Sequence, residues 1–274
     1  MAIRHTIARF PVTTFFLAAF ATQVVLTASQ HYEIPNHGFA LLRIPSPALW
    51  ALVVAWIAWG KNDAWKLVSS LWNWRVAPGY YLFAIAYPPV VAIGSLLLLR
   101  LVGLNRSIEL DLAEPSRLEF AWLCFRISTV EEIAWVGFVL TALRARWSLF
   151  QASALMGLLW GIWYIPLVLT NIQVTPDLPV APLLINFMSI AAICGWLYHR
   201  TKSAGVVCLM QIMTNYTTQL IPVLPQRGGE TQYVAFVLVK SLFSILLFAV
   251  WGPKPLFGKA NKEPTSFEAI AASP

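Results

Sequence analysis

The sequence predicts an all-α polytopic integral membrane protein of about eight transmembrane helices with both termini cytoplasmic, and three observations carry that prediction. Of its 274 residues 58% are hydrophobic and 11% charged, whereas soluble domains carry about 25% charge. Apolar stretches of spanning length recur along the chain. The basic residues collect in alternate connections between them.

Taken in order, the first span is Phe10 to Ala28. It follows Arg4 and Arg9 as a signal peptide would, but its length and the lack of an A-x-A site favour a retained helix. Pro47 to Trp59 is a short second span, and Tyr80 to Gly103 a third. The fourth, Leu118 to Ala142, carries two adjacent acids. Leu149 to Leu169, Val180 to Leu197, Ala204 to Val223 and Tyr233 to Trp251 complete the set. Arg4, Arg9, Lys61, Lys66, Arg75, Arg144, Arg146, Arg200, Lys202, Lys254, Lys259 and Lys262 then share one side, the cytoplasmic one. Arg43, Arg100, Arg106, Arg117 and Arg227 fall on the other, with the loop acids Glu109, Asp111 and Glu114.

This organisation implies a single transmembrane domain over residues 1–253 and a disordered cytoplasmic tail over 254–274. The formal charge of +7 is spread over segment ends and forms no basic stripe, so nucleic acid is not an expected partner. The bilayer itself is. Cys124, Cys194 and Cys208 lie in apolar stretches and predict no disulfide framework or CxxC metal site. Prolines in "YPPVV" (Tyr87 to Val91) and "IPVLP" (Ile221 to Pro225) mark span edges or breaks. Trp59, Trp72, Trp74, Trp147 and Trp251 fit an aromatic belt.

The acids are the informative feature. In "STVEEIAWVGF", Glu131 and Glu132 interrupt an apolar span, where a charged side chain costs roughly 2.5–3.5 kcal/mol on insertion scales. Neighbours on a helix point about 100° apart, so the two cannot share one environment. Ser128, four residues before Glu132, is the hydrogen-bonding candidate at helical spacing, and Val136 occupies the position four after it. Two later spans carry polar residues four apart. These are Trp160 and Tyr164 in "LLWGIWYIPL", and Gln211 and Asn215 in "VCLMQIMTNYT". Such residues serve either as glue between helices or as members of a site with the glutamates.

In their order and on separate spans, "EEIAWVGF", "WGIWYIPL" and "QIMTN" resemble the three signature motifs of the type II CAAX prenyl endopeptidases and their bacterial relatives, the bacteriocin-immunity (Abi) membrane proteins. The resemblance runs from about Trp72 to Thr218. It implies an intramembrane glutamate-dependent protease, often described as a metalloprotease, with motifs EExxxR, FxxxH and HxxxN. Glu131 then matches the water-activating glutamate, Glu132 its partner, and Asn215 the oxyanion-stabilising asparagine. Val136 replaces the motif arginine, and Tyr164 and Gln211 replace the two histidines.

Neither a neutral phenol nor a primary amide is a usual zinc ligand, so no cofactor is expected. His5, His31, His37 and His199 are not placed to substitute. The preferred reading is a family member with an eroded active site and a binding or regulatory role, its partner a lipidated peptide or a membrane helix. Two alternatives stay open. One is an atypical peptidase using Glu131, with Glu132, Tyr164, Gln211 and Asn215 around it, on prenylated or bacteriocin-like peptides. The other is a proton-relaying transporter, against which no inverted repeat is seen. A bacterial plasma membrane is the expected location.

Overall fold

The computed structural model describes residues 2–34, 42–104, 117–172, 176 and 178–258. Among these residues the chain is helical and without strands. In order the helices are α1 (Ala2–Arg9), α2 (Pro11–His31), α3 (Ser46–Trp59), α4 (Lys61–Ser69), α5 (Pro78–Leu101), α6 (Arg117–Glu132), α7 (Thr141–Arg144), α8 (Leu149–Thr170), α9 (Val180–Thr201), α10 (Ala204–Leu220), α11 (Pro225–Gly228) and α12 (Glu230–Trp251). Seven of the eight stretches read from hydropathy each fall on one helix, and the fourth, Leu118 to Ala142, runs through α6, a π-helical segment and the start of α7. Five of these, α2, α5, α8, α9 and α12, are long and apolar enough to cross a membrane on their own, and α3 is a shorter apolar helix. The protein is a multi-pass membrane protein.

Local chemistry sets the helix boundaries. Gly60 ends α3 with φ +102°, a left-handed conformation that only glycine adopts without strain, and α4 begins at the next residue. Ser148 caps α8 by accepting from the Gln151 N–H, and Ser203 caps α10 by accepting from the Val206 N–H at 3.1 Å. The Ser148 hydroxyl also donates to the Leu256 carbonyl, while the Gly258 N–H donates to Gln151 Oε1 at 2.8 Å, so residues 256–258 are seated on the start of α8. The remainder of the tail read as disordered, from residue 259 on, lies outside the described residues.

Two readings of the sequence are revised. Pro88 and Pro89 do not break a span. They lie inside α5, where a membrane helix tolerates proline because its neighbours re-satisfy the freed backbone. Trp72, Trp74, Trp147 and Trp251 are exposed, as belt residues would be, but Trp59 is only 9% exposed and packs 5.1 Å from the Phe138 ring centroid.

Helix packing rests on small residues. Gly157 and Gly161 lie four apart on α8 and face α9, Gly157 against the Phe187 backbone carbonyl, Met188 and Ala191, and Gly161 against Leu184 and Phe187. Gly195 of α9 faces Ser153 of α8. Close backbone approach through small residues is how helices associate in lipid, where no hydrophobic force drives them together. The α8–α9 pair is the most extensive helix contact, and α9 in turn packs on α12, and α10 on α5 and α6. The three cysteines are free and buried.

Candidate functional site

Glu131 and Glu132 close α6, and the chain then runs through π-helical turns from Ile133 to Leu140 before resuming as α7. A π turn carries an extra residue, so downstream side chains rotate relative to an α-helical register, and such turns are frequent at functional sites. All residues from Ile133 to Leu140 are buried, on every face. Val136, the residue at the motif-arginine position, is fully enclosed among them. The α-helical spacing used to seek partners for Glu132 therefore holds only on its N-terminal side.

That side does not supply the partner either. The Ser128 hydroxyl is buried and makes no hydrogen bond. Glu132, fully buried, instead accepts at Oε1 from Gln211 Nε2 of α10 at 2.6 Å, and its Oε2 has no hydrogen-bond partner. Glu131, 4% exposed, accepts at Oε1 from the Tyr164 hydroxyl of α8 at 2.9 Å. The two carboxylates thus face different helices, as their 100° offset requires. The Trp160 indole lies near Glu131 without forming a hydrogen bond of ordinary geometry. Its ring stacks on Trp135 at 5.7 Å and meets Phe187 at 5.2 Å, which fixes the α8 turn that presents Tyr164.

Glu131, Trp160, Tyr164, Gln211 and Asn215 line one cavity of about 460 Å³, walled by residues of α6, α8, α9, α10 and α12 and open to the outside. This is within the size range of small-molecule pockets. Of the five predicted site residues only Glu132 is not in its wall. Glu132 sits behind it, joined to the wall through Gln211.

Three polar residues near the site were missed by motif reasoning. Arg43, on the turn before α3, is 3% exposed and close enough to the Tyr164 phenol for an electrostatic interaction. Burial lowers its pKa below the ordinary arginine value, and the phenol opposes that shift. It supplies a cation from outside the motif segment, on the side of the site where Tyr164 stands. Lys240 of α12 and Asn186 of α9 also line the cavity, with Lys240 Nζ 2.7 Å from Asn186 Oδ1. The signal for Lys240 was present in "FVLVKSLF", a single lysine in an apolar run. Arg126, by contrast, is exposed on α6 and takes no part.

The donor set does not suit a zinc ion. Around Glu131 stand a phenol and amides, and among the described residues no three His, Cys, Asp or Glu side chains converge. His199 ends α9, and His37 lies outside the described residues.

Residues 114–217 match the Type II CAAX prenyl endopeptidase Rce1-like family profile. A 50-residue stretch is 40% identical to the CAAX prenyl protease 2 of Methanococcus maripaludis. That stretch covers 18% of this chain and 18% of the relative. The matched region contains both glutamates, Tyr164, Gln211 and Asn215, and leaves Arg43 and Lys240 outside it. Over this segment the chain is similar to the Rce1-like CAAX prenyl endopeptidase family.

Proposed function

We propose that this chain is a non-catalytic member of its family, a plasma-membrane protein whose intramembrane cavity binds a hydrophobic ligand of the lipidated-peptide class. The observation that carries the reading is the 2.9 Å hydrogen bond from the Tyr164 hydroxyl to Glu131. A general base must keep a lone pair within reach of the water it activates. Here a phenol, standing where the family has an imidazole, donates to that carboxylate. Protonated at neutral pH, a phenol is a far weaker base than imidazole, and it is not an ordinary zinc ligand.

Gln211, the second replacement, is likewise engaged with a carboxylate, its amide donating to Glu132. Proton transfer typically contributes about 10²–10⁴-fold and one oxyanion donor about 10²–10³-fold. Asn215 alone cannot supply both. What persists is an open, mostly apolar cavity with a few polar groups, which is the description of a binding site.

The test uses the purified protein in lipid nanodiscs with a farnesylated peptide. The expected result is saturable binding with no product above the level given by Glu131→Gln. Product formed by the wild type and lost in Glu131→Gln would instead support the second reading, an atypical peptidase. That reading is favoured by Glu131 and Asn215 lining the same cavity.

A further inference from the structure

Lys240 is a buried lysine that the family motifs leave unused. It is the eleventh of the 22 residues of α12, at the middle of a candidate membrane span, and is 2% exposed. Its ammonium donates to Asn186 Oδ1 at 2.7 Å and lies 4.1 Å from the centroid of the Phe236 ring. No carboxylate of the described residues is within 4 Å of it. Buried charges in a membrane are normally paired, face a cavity, or both.

Holding α12 against α9 does not require this charge. The Ser189 and Ser241 hydroxyls already bridge the same two helices at 2.7 Å, next to the Asn186–Lys240 contact. An ammonium has three N–H donors, of which Asn186 takes one. The residue is in the wall of the cavity that holds Glu131, on a different helix. Leu183, Phe187 and Ile190 of α9 supply apolar wall beside it.

We propose that Lys240, held in place by Asn186, anchors the carboxylate of a hydrophobic ligand in this cavity. The proposal rests on the binding function above and names the chemistry of the ligand. The ammonium gains the anionic partner that the described residues do not provide, and the apolar walls take the ligand's body. A fatty acid and the free C terminus of a hydrophobic peptide both offer that chemistry.

Equilibrium binding of matched probes to the nanodisc-reconstituted protein tests this and separates the two sources. One pair is radiolabelled palmitate and hexadecanol. The other is a farnesylated peptide as its free acid and as its C-terminal amide. In at least one pair the acid is expected to bind roughly tenfold or more tightly than its neutral counterpart. The pair that discriminates identifies the source. Lys240→Met is expected to abolish the preference, bringing the affinity for the acid down to that for its neutral counterpart. Lys240→Gln keeps a donor for Asn186, guards against misfolding in the first variant, and is expected to abolish the preference as well. Equal binding of acid and neutral probes, a preference that survives both variants, or no saturable binding of any probe would overturn the proposal. The first two results leave the binding function intact, whereas the third removes it too.

Discussion

Replacing Gly157 with leucine is expected to cost about 3 kcal/mol or more of stability and to force α8 away from α9, at the upper end of what overpacking usually does. A Cβ at Gly157 would stand 2.4 Å from the Phe187 carbonyl oxygen, 2.5 Å from Met188 Cα and 2.8 Å from Ala191 Cβ. The first two are backbone atoms, so no rotamer change relieves the overlap. The helices must separate. Trp160 and Tyr164 follow on the next turns of α8, and Phe187 and Asn186 are opposite on α9, so the cavity wall and the Glu131 hydrogen bond are lost with the packing. Gly94→Ala on α5 is the control, since a Cβ there meets nothing within 4 Å. Its effect is expected to stay within about 0.5 kcal/mol. Unfolding of the detergent-solubilised variants, followed by circular dichroism against denaturant, measures both. Equal stability of Gly157→Leu and Gly94→Ala would show that α8 and α9 do not approach as described.

The second large effect is at Gln211. Changing it to leucine removes the only donor to Glu132 among the described residues, where the other carboxylate oxygen is already without one, and leaves the whole group buried and unsatisfied. The expected loss is about 2–5 kcal/mol. Glu132→Leu combined with Gln211→Leu removes both polar partners and is expected to recover most of that loss, because an apolar pair of similar shape carries no desolvation penalty. The double-mutant cycle should therefore show a coupling of about 2 kcal/mol or more. A double variant no more stable than Gln211→Leu alone would mean that the two side chains do not act as a pair.

The same two contacts show what the sequence could and could not disclose. Hydropathy located every long helix, because a span must be apolar wherever it meets lipid. Trp160 and Tyr164, and Gln211 and Asn215, read as pairs from four-residue spacing, line one cavity, since α8 and α10 are regular over those turns. It failed for Glu132, where Ser128 was the only polar choice on the helix itself and the true partner comes from α10. Interhelical pairing depends on rotation and register that no single span encodes. The π-helical turns after Glu132 are equally invisible to a method that assumes 3.6 residues per turn. Arg43 was assigned only a topological role because its contact with the site is made through tertiary packing. Lys240 was legible by the argument applied to the glutamates, a lone charge within a span, but it lies outside the family motifs.

The proposed function holds that Tyr164 and Gln211 have turned an inherited hydrolytic site into a binding site. The most direct measurement compares newly generated peptide termini in membranes expressing the wild type and Glu131→Gln at matched protein levels. Glutamine keeps the size of the side chain and removes the base. Identical sets of termini are predicted. Termini that appear with the wild type and vanish with Glu131→Gln would contradict the account and establish a working glutamate-dependent peptidase.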